Sequence, residues 1–202
     1  MYRSVRRYLL AAPQIVFLLV SAAAAEPLRI LIAYHSETGN TEKLAAAVKE
    51  GAAGVEGVTV ILRKTAAVTD EEIVGADGII LGTPVHWGNL SAVSKQFLDR
   101  VGAALGKAGK TYGEGRTAAV FCTAGSASNG QEMARLGAIS AFLAMRFVIL
   151  GGVNGDGFGT LGPQAVTGGK PPGVSAQALA DGRRFGERFA RLTLQFRAHA
   201  PR

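Results

Sequence analysis

From Pro27 onward the chain alternates short, almost unbroken apolar runs with longer stretches whose apolar residues recur every three or four positions. The first pattern suits strands buried on both faces, the second helices with one buried stripe. Strands are predicted over 28–34, 58–62, 77–82, 117–123 and 147–152, and helices over 40–54, 91–105, 131–145 and 175–196. In the first helix Leu44, Ala47 and Val48 share the apolar face. A short further helix to about residue 75 is announced by Thr69 followed by Asp70, Glu71 and Glu72, a cap with acidic residues in the first turn. Residues 154–173 break the rhythm: rich in Gly and Pro, they show no period and read as a long functional or interface loop. No internal repeat, coiled coil or low-complexity tract is visible.

Five apolar strands separated by helices imply an α/β fold, a doubly wound five-stranded parallel sheet with helices on both faces. Ligands of such sheets bind beyond the carboxyl ends of the strands, where the winding reverses. Three loops fall at those ends. After the first strand comes Ser36-Glu37-Thr38-Gly39-Asn40-Thr41, hydroxyls and small polar residues running into a helix start. Backbone N–H groups and the helix dipole favour an anion there, and the absence of a G-K-[ST] triplet argues against a nucleoside triphosphate. After the third strand, residues 83–91 include Pro84, Val85, His86, Trp87, Gly88 and Asn89, a stiffened, bent loop with two flat rings. After the fourth, Thr123, Ala124, Gly125, Ser126, Ala127 and Ser128 form a small polar floor that a ligand can approach closely. Read singly, each is also an ordinary capping loop or linker. Together they suit a phosphate joined to a flat ring system, and flavin mononucleotide (FMN) is the matching ligand.

Two other motifs carry little weight. Residues 157–162 match the spacing of a dinucleotide fingerprint but lead into Pro163 and a Gly/Pro run, not a helix. Asn89-Leu90-Ser91 matches a glycosylation acceptor inside the proposed flavin loop.

Composition adds boundaries. The 202 residues are 48% apolar, enough for one domain with a full core. One cysteine, Cys122, excludes an intramolecular disulfide, and three scattered histidines give no metal-binding pattern, so no metal site is expected. Residues 1–25 read as a signal peptide, with Arg3, Arg6 and Arg7, an apolar stretch, then small residues 21–25 before Glu26. The domain then spans 26–202. Arg6-Arg7 directly before hydrophobic residues also suits twin-arginine export to the periplasm, and an uncleaved membrane anchor is the alternative. Without those three arginines, 19 basic residues face 15 acidic ones. That net of +4 is spread along the chain, a solvated basic face and no nucleic-acid site.

With these loops laid out, the chain from about 28 to 196 resembles the flavodoxin-like superfamily, and most closely WrbA-type NAD(P)H:quinone oxidoreductases. Tyr34-His35 through Thr41 follows the flavodoxin phosphate loop, with Ala33 where a larger apolar residue is usual. Residues 78–91, followed by Gln96-Phe97-Leu98-Asp99, are similar to the WrbA signature around the flavin ring. Residues 125–132 resemble its third loop, and Phe158-Gly159 with 165–169 its late insertion.

The resemblance implies strand order 2-1-3-4-5, FMN phosphate on 36–41, Val85, His86 and Trp87 along the isoalloxazine, and residues 123–128 on its other edge. It also puts Thr38 near the nicotinamide or quinone. Leu105 stands where some relatives carry a pocket tryptophan, and residues 144–147 where the family carries a flavin-side histidine. The implied activity is two-electron reduction of a quinone by NAD(P)H through a ping-pong mechanism, in a dimer or tetramer, with the flavin doing the chemistry and no catalytic side chain. The rival is an exported flavodoxin-like electron carrier. The basic balance and the 154–173 loop favour the enzyme, since familiar flavodoxins are strongly acidic.

Overall fold

The structure, a computed structural model, describes residues 26–152, 161–168 and 173–199. Residues 1–25, on which the signal reading rests, lie outside the described residues, as does most of the 157–162 motif.

Strand β1 (Leu28–Tyr34) leads to helix α1 (Asn40–Ala53), then β2 (Val58–Lys64) and the short α2 (Asp70–Val74). Next come β3 (Gly78–His86), β4 (Asn89–Leu90), α3 (Ala92–Lys107), β5 (Thr117–Ala124) and α4 (Gln131–Ala144). The two-residue β6 (Val148–Ile149), β7 (Gln164–Val166) and α5 (Ala176–His199) complete the order. Thr69 forms the anticipated cap of α2: its hydroxyl accepts from Glu72 N while the Glu72 carboxylate accepts from Thr69 N.

The sheet runs β2-β1-β3-β5-β6 and these pairs are parallel, which is the expected 2-1-3-4-5 winding. Side chains alternate along each central strand between two layers. Leu28, Ile30, Ile32 of β1, Ile80 of β3 and Phe121 of β5 pack under α1 and α5. Leu31 and Ala33, Ile79 and Leu81, and Ala118 and Val120 face the other way, beneath α2, α3 and α4. Burial on both faces is why these strands read as apolar runs and not as alternating ones.

Helices α1 and α5 approach closely through glycines. A methyl on Gly186 would overlap the Val48 carbonyl, and one on Gly51 the Arg183 carbonyl, so neither helix can accept it without moving its backbone. Gly186→Val is expected to destabilise the fold by about 2–3 kcal/mol, read as a lowered denaturation midpoint at constant m.

Two departures from the sequence reading bear on the site. The fifth strand, expected over 147–152, is only Val148–Ile149: Leu150 N makes the last bond to the sheet, to Ala118 O, and Gly152 takes φ 82°. The vacated edge is filled by β7, which pairs Cys122, Thr123 and Ala124 of β5 with Gln164, Ala165 and Val166. Three residues between Pro163 and a turn are too few to show a period, so this strand was invisible inside 154–173. The buried Arg135 guanidinium anchors it, donating to the Gly162 carbonyl and the Gln164 side chain.

Candidate active site

Loops following β1, β3 and β5 meet at the carboxyl edge of three neighbouring strands. Ser36 is half-buried, Glu37 and Thr38 are exposed, and Asn40 and Thr41 are buried. Gly39, at φ 83°, is the residue before α1, and no side chain caps that helix. Its early N–H groups are therefore open, unlike those of α3, where Ser91 accepts from Ser94 N. Three buried side-chain polar atoms among the described residues lack a hydrogen-bond partner, and two of them, Ser36 Oγ and Asn40 Oδ1, lie in this loop. The third, Arg100 Nε, is ion-paired to Asp70 at 3.2 Å. Orphaned buried polar atoms beside an uncapped helix start fit a polar, anionic ligand. Asn40 Nδ2 meets Thr38 Oγ1 at 3.1 Å; turned over, the amide accepts from that hydroxyl and its N–H takes the unpartnered position.

The nearby carboxylate of Glu42 is turned away, accepting from the Tyr34 hydroxyl at 2.7 Å. Burial first, and this bond second, push the Tyr34 phenol up to about 12. Thr41 Oγ1 lies 2.8 Å from Thr123 Oγ1, both buried, so the first loop is tied to the end of β5.

The second loop is a hairpin. Val85 and His86 pair antiparallel with Leu90 and Asn89, around a two-residue turn of Trp87 (φ 50°) and Gly88 (φ 80°). Positive φ at both positions is the type I′ turn. Tryptophan is an uncommon occupant of that region, which stores strain at the tip. Its ring is fully exposed, Val85 is buried, and Pro84 and His86 are half-buried. The third loop leaves Gly125, Ser126, Ala127 and Ser128 exposed beyond the buried Thr123 and Ala124. Gln131 braces it, donating to Ser126 O at 3.0 Å and accepting from Asn129 N at 2.9 Å. Gly130 rests directly on Gly88, joining the hairpin to this loop. Cys122 is fully buried, and burial pushes its thiol up to about 11, so it is no nucleophile.

The structure also brings in His35, absent from the sequence-predicted site. Its Nδ1 lies 2.8 Å from Ser91 Oγ, and its ring meets the edge of His86 with centroids 5.8 Å apart. Its place directly before Ser36, at the end of a buried strand, was the available signal. Leu105, by contrast, sits in the last turn of α3, fully buried in the core, and lines no loop of this edge. Residues 144–147 close α4 beside the start of β5, where Gly113 N donates to Met145 O and Val148 N to Arg116 O. That is the amino-terminal edge of the sheet, opposite the site.

With the edge described, relatives can be set beside it. Residues 28–155 match the family described as NADPH-dependent FMN reductase. The chain belongs to this family. A flavodoxin from Aquifex aeolicus is 32% identical over 166 residues, covering 80% of this chain and 85% of the relative. A protein named NAD(P)H dehydrogenase (quinone) from Acidithiobacillus ferrooxidans is 31% identical over 176 residues, covering 77% and 86%. Among solved structures, a flavodoxin, WrbA-like protein from Agrobacterium tumefaciens superposes with TM-score 0.67 at 22% identity, covering 84% of this chain and 99% of that one. The FMN reductase family assignment and this superposition agree with the sheet order and with the flavodoxin-like fold read from the sequence.

Proposed function

We propose that the chain is an FMN-dependent oxidoreductase that reduces quinones by two electrons at the expense of NAD(P)H, in a ping-pong cycle. The observation that carries this reading is the pair of orphaned polar atoms, Ser36 Oγ and Asn40 Oδ1, at the uncapped start of α1. A family defined by FMN chemistry and a relative named for quinone reduction support it.

Ser36, Thr38, Asn40, Thr41 and the open N–H groups of α1 would hold the phosphate. Val85, His86 and the Trp87-Gly88 turn would form one wall of the ring site, and residues 123–128 its floor. When bound, FMN supplies the redox chemistry between nicotinamide and quinone. The protein's part is to position and to desolvate. Thr123 and Ala124 present a buried floor, while the exposed 125–128 backbone leaves a way in for the second substrate. One open pocket serving donor and acceptor in turn is what a ping-pong order needs.

Oxidation of NADH and NADPH by FMN-loaded protein with benzoquinone tests the reading. Parallel double-reciprocal lines are the expected result. Absence of turnover, with two well-separated one-electron steps on redox titration, would instead favour an electron carrier, as the flavodoxin relative suggests. We further propose export by the 1–25 segment and assembly as a dimer or tetramer. Sequencing the mature N-terminus after cell fractionation, and sedimentation, decide these.

A further inference from the structure

The phosphate loop holds no cation, and its first ionisable side chain, Glu37, has the wrong sign for an anion. His35 lies at the root of this loop. Its main-chain N–H donates to Gly82 O at 3.0 Å, and Nε2 stands 3.7 Å from a Glu37 carboxylate oxygen. On the other side of the ring, Ser91 Oγ donates to Ser94 Oγ at 2.9 Å, so it receives its remaining bond from His35 Nδ1–H at 2.8 Å. The neutral ring thus carries its proton on Nδ1 and leaves Nε2 bare, facing Glu37. A second proton can enter at Nε2 without breaking any hydrogen bond in this network.

The groups facing the ring are Glu37 from its own loop and His86 from the end of β3, while α3 presents Ser91, Ser94 and the positive end of its dipole. Burial holds the imidazole below its ordinary range, Glu37 works against this, and His86 adds to it. A phosphate dianion on the adjoining loop would tip this balance towards the charged ring.

We propose that His35 is the charge-compensating residue of the flavin site's phosphate loop, taking a proton from solvent onto Nε2 when FMN binds and pairing with Glu37. The loop's side chains then change from a net single negative charge to neutral, and the missing cation is supplied by a residue outside the usual hydroxyl set. This rests on the reading that the FMN phosphate occupies residues 36–41.

By linkage, a proton gained on binding means that FMN raises the affinity of His35 for protons and acidity raises its affinity for FMN. The contribution is fully present below the free-protein value and absent above the FMN-bound value. A rise of about one unit corresponds to about tenfold in affinity. The experiment follows the histidine Cε1–H resonances of the full chain through a pH titration, with and without FMN. There are three histidines, so H86Q and H199Q variants complete the assignment, and the result does not depend on a His35 variant folding. Expected is an upward shift of the His35 midpoint by about one unit with FMN, and little shift with riboflavin, which lacks the phosphate. In parallel, the affinity ratio of wild type to H35Q for FMN should grow about tenfold between pH 8 and acidic pH. FMN binding with an unmoved His35 midpoint, or an equal shift with riboflavin, overturns the proposal alone. Failure of FMN to bind overturns the flavin reading itself, and the proposal with it.

Discussion

Replacing Gly130 by alanine is expected to weaken FMN binding by about a hundredfold while leaving the sheet and helices intact. Two independent costs fall on this position. Gly130 has φ 87°, and an L-residue in that region costs about 1–2 kcal/mol. Its Cβ would also overlap the Gly88 carbonyl and Cα, which are backbone atoms and cannot swing aside as a side chain would. Overpacking adds about 1–3 kcal/mol. The partner cannot yield cheaply, because Gly88 is itself held at φ 80° in a two-residue turn behind a strained Trp87. The relief open to the molecule is to part the hairpin from the 125–129 loop, which are the wall and floor proposed for the ring. Gly109→Ala is the control. Gly109 has φ 66° with nothing within 4 Å of the added methyl, so it carries the backbone cost without the clash and away from the site. It should lower the melting temperature slightly and leave FMN affinity alone. Fluorescence quenching of FMN, together with circular dichroism, reads both variants; equal FMN affinity in Gly130→Ala and wild type would show that the hairpin and loop do not act as one site.

How much of this was legible beforehand follows from the kind of signal each part leaves. Strands β1, β3 and β5 are buried on both faces, so Ile30 to Ala33 or Ala118 to Cys122 are apolar without a break. The winding then assigns three loops to one edge without any side-chain detail. What the sequence could not carry is contact between distant residues. Nothing in Trp87-Gly88 marks a hairpin, because type I′ turns are signalled by Asn-Gly or Asp-Gly. The docking of Gly130 on Gly88 and the meeting of His35 with Ser91 depend on register across the sheet. The strand β7 was hidden by its three-residue length. Leu105 and residues 144–147 stand where the resemblance has a pocket tryptophan and a flavin-side histidine, and within this chain both fall at the far ends of helices that start at the carboxyl edge, α3 and α4.

Substituting Thr38 and Thr41 together by alanine is expected to cost FMN affinity about a hundredfold to ten-thousandfold. A hydrogen bond to a charged group contributes about 1.5–3 kcal/mol, and the double change removes two hydroxyls from the proposed phosphate cradle. The two positions are not equivalent. Thr38 is exposed and its hydroxyl meets only the Asn40 amide, at 3.1 Å, so its loss frees that amide to bond elsewhere. Thr41 is buried, and its removal also strips the Thr123 hydroxyl, itself buried, of its 2.8 Å partner. The single Thr41→Ala variant should therefore lose both stability and affinity, whereas Thr41→Ser keeps the hydroxyl and should stay within a few-fold of wild type. Thr123→Val separates the two effects. It leaves Thr41 without its protein partner but keeps the Thr41 hydroxyl itself, so it should lower the melting temperature more than it lowers affinity. Titration of each variant with FMN and with riboflavin sharpens the test, since a phosphate cradle damaged at Thr38 and Thr41 should erase the preference for FMN over riboflavin. If the double variant keeps that preference, the phosphate does not sit on residues 36–41.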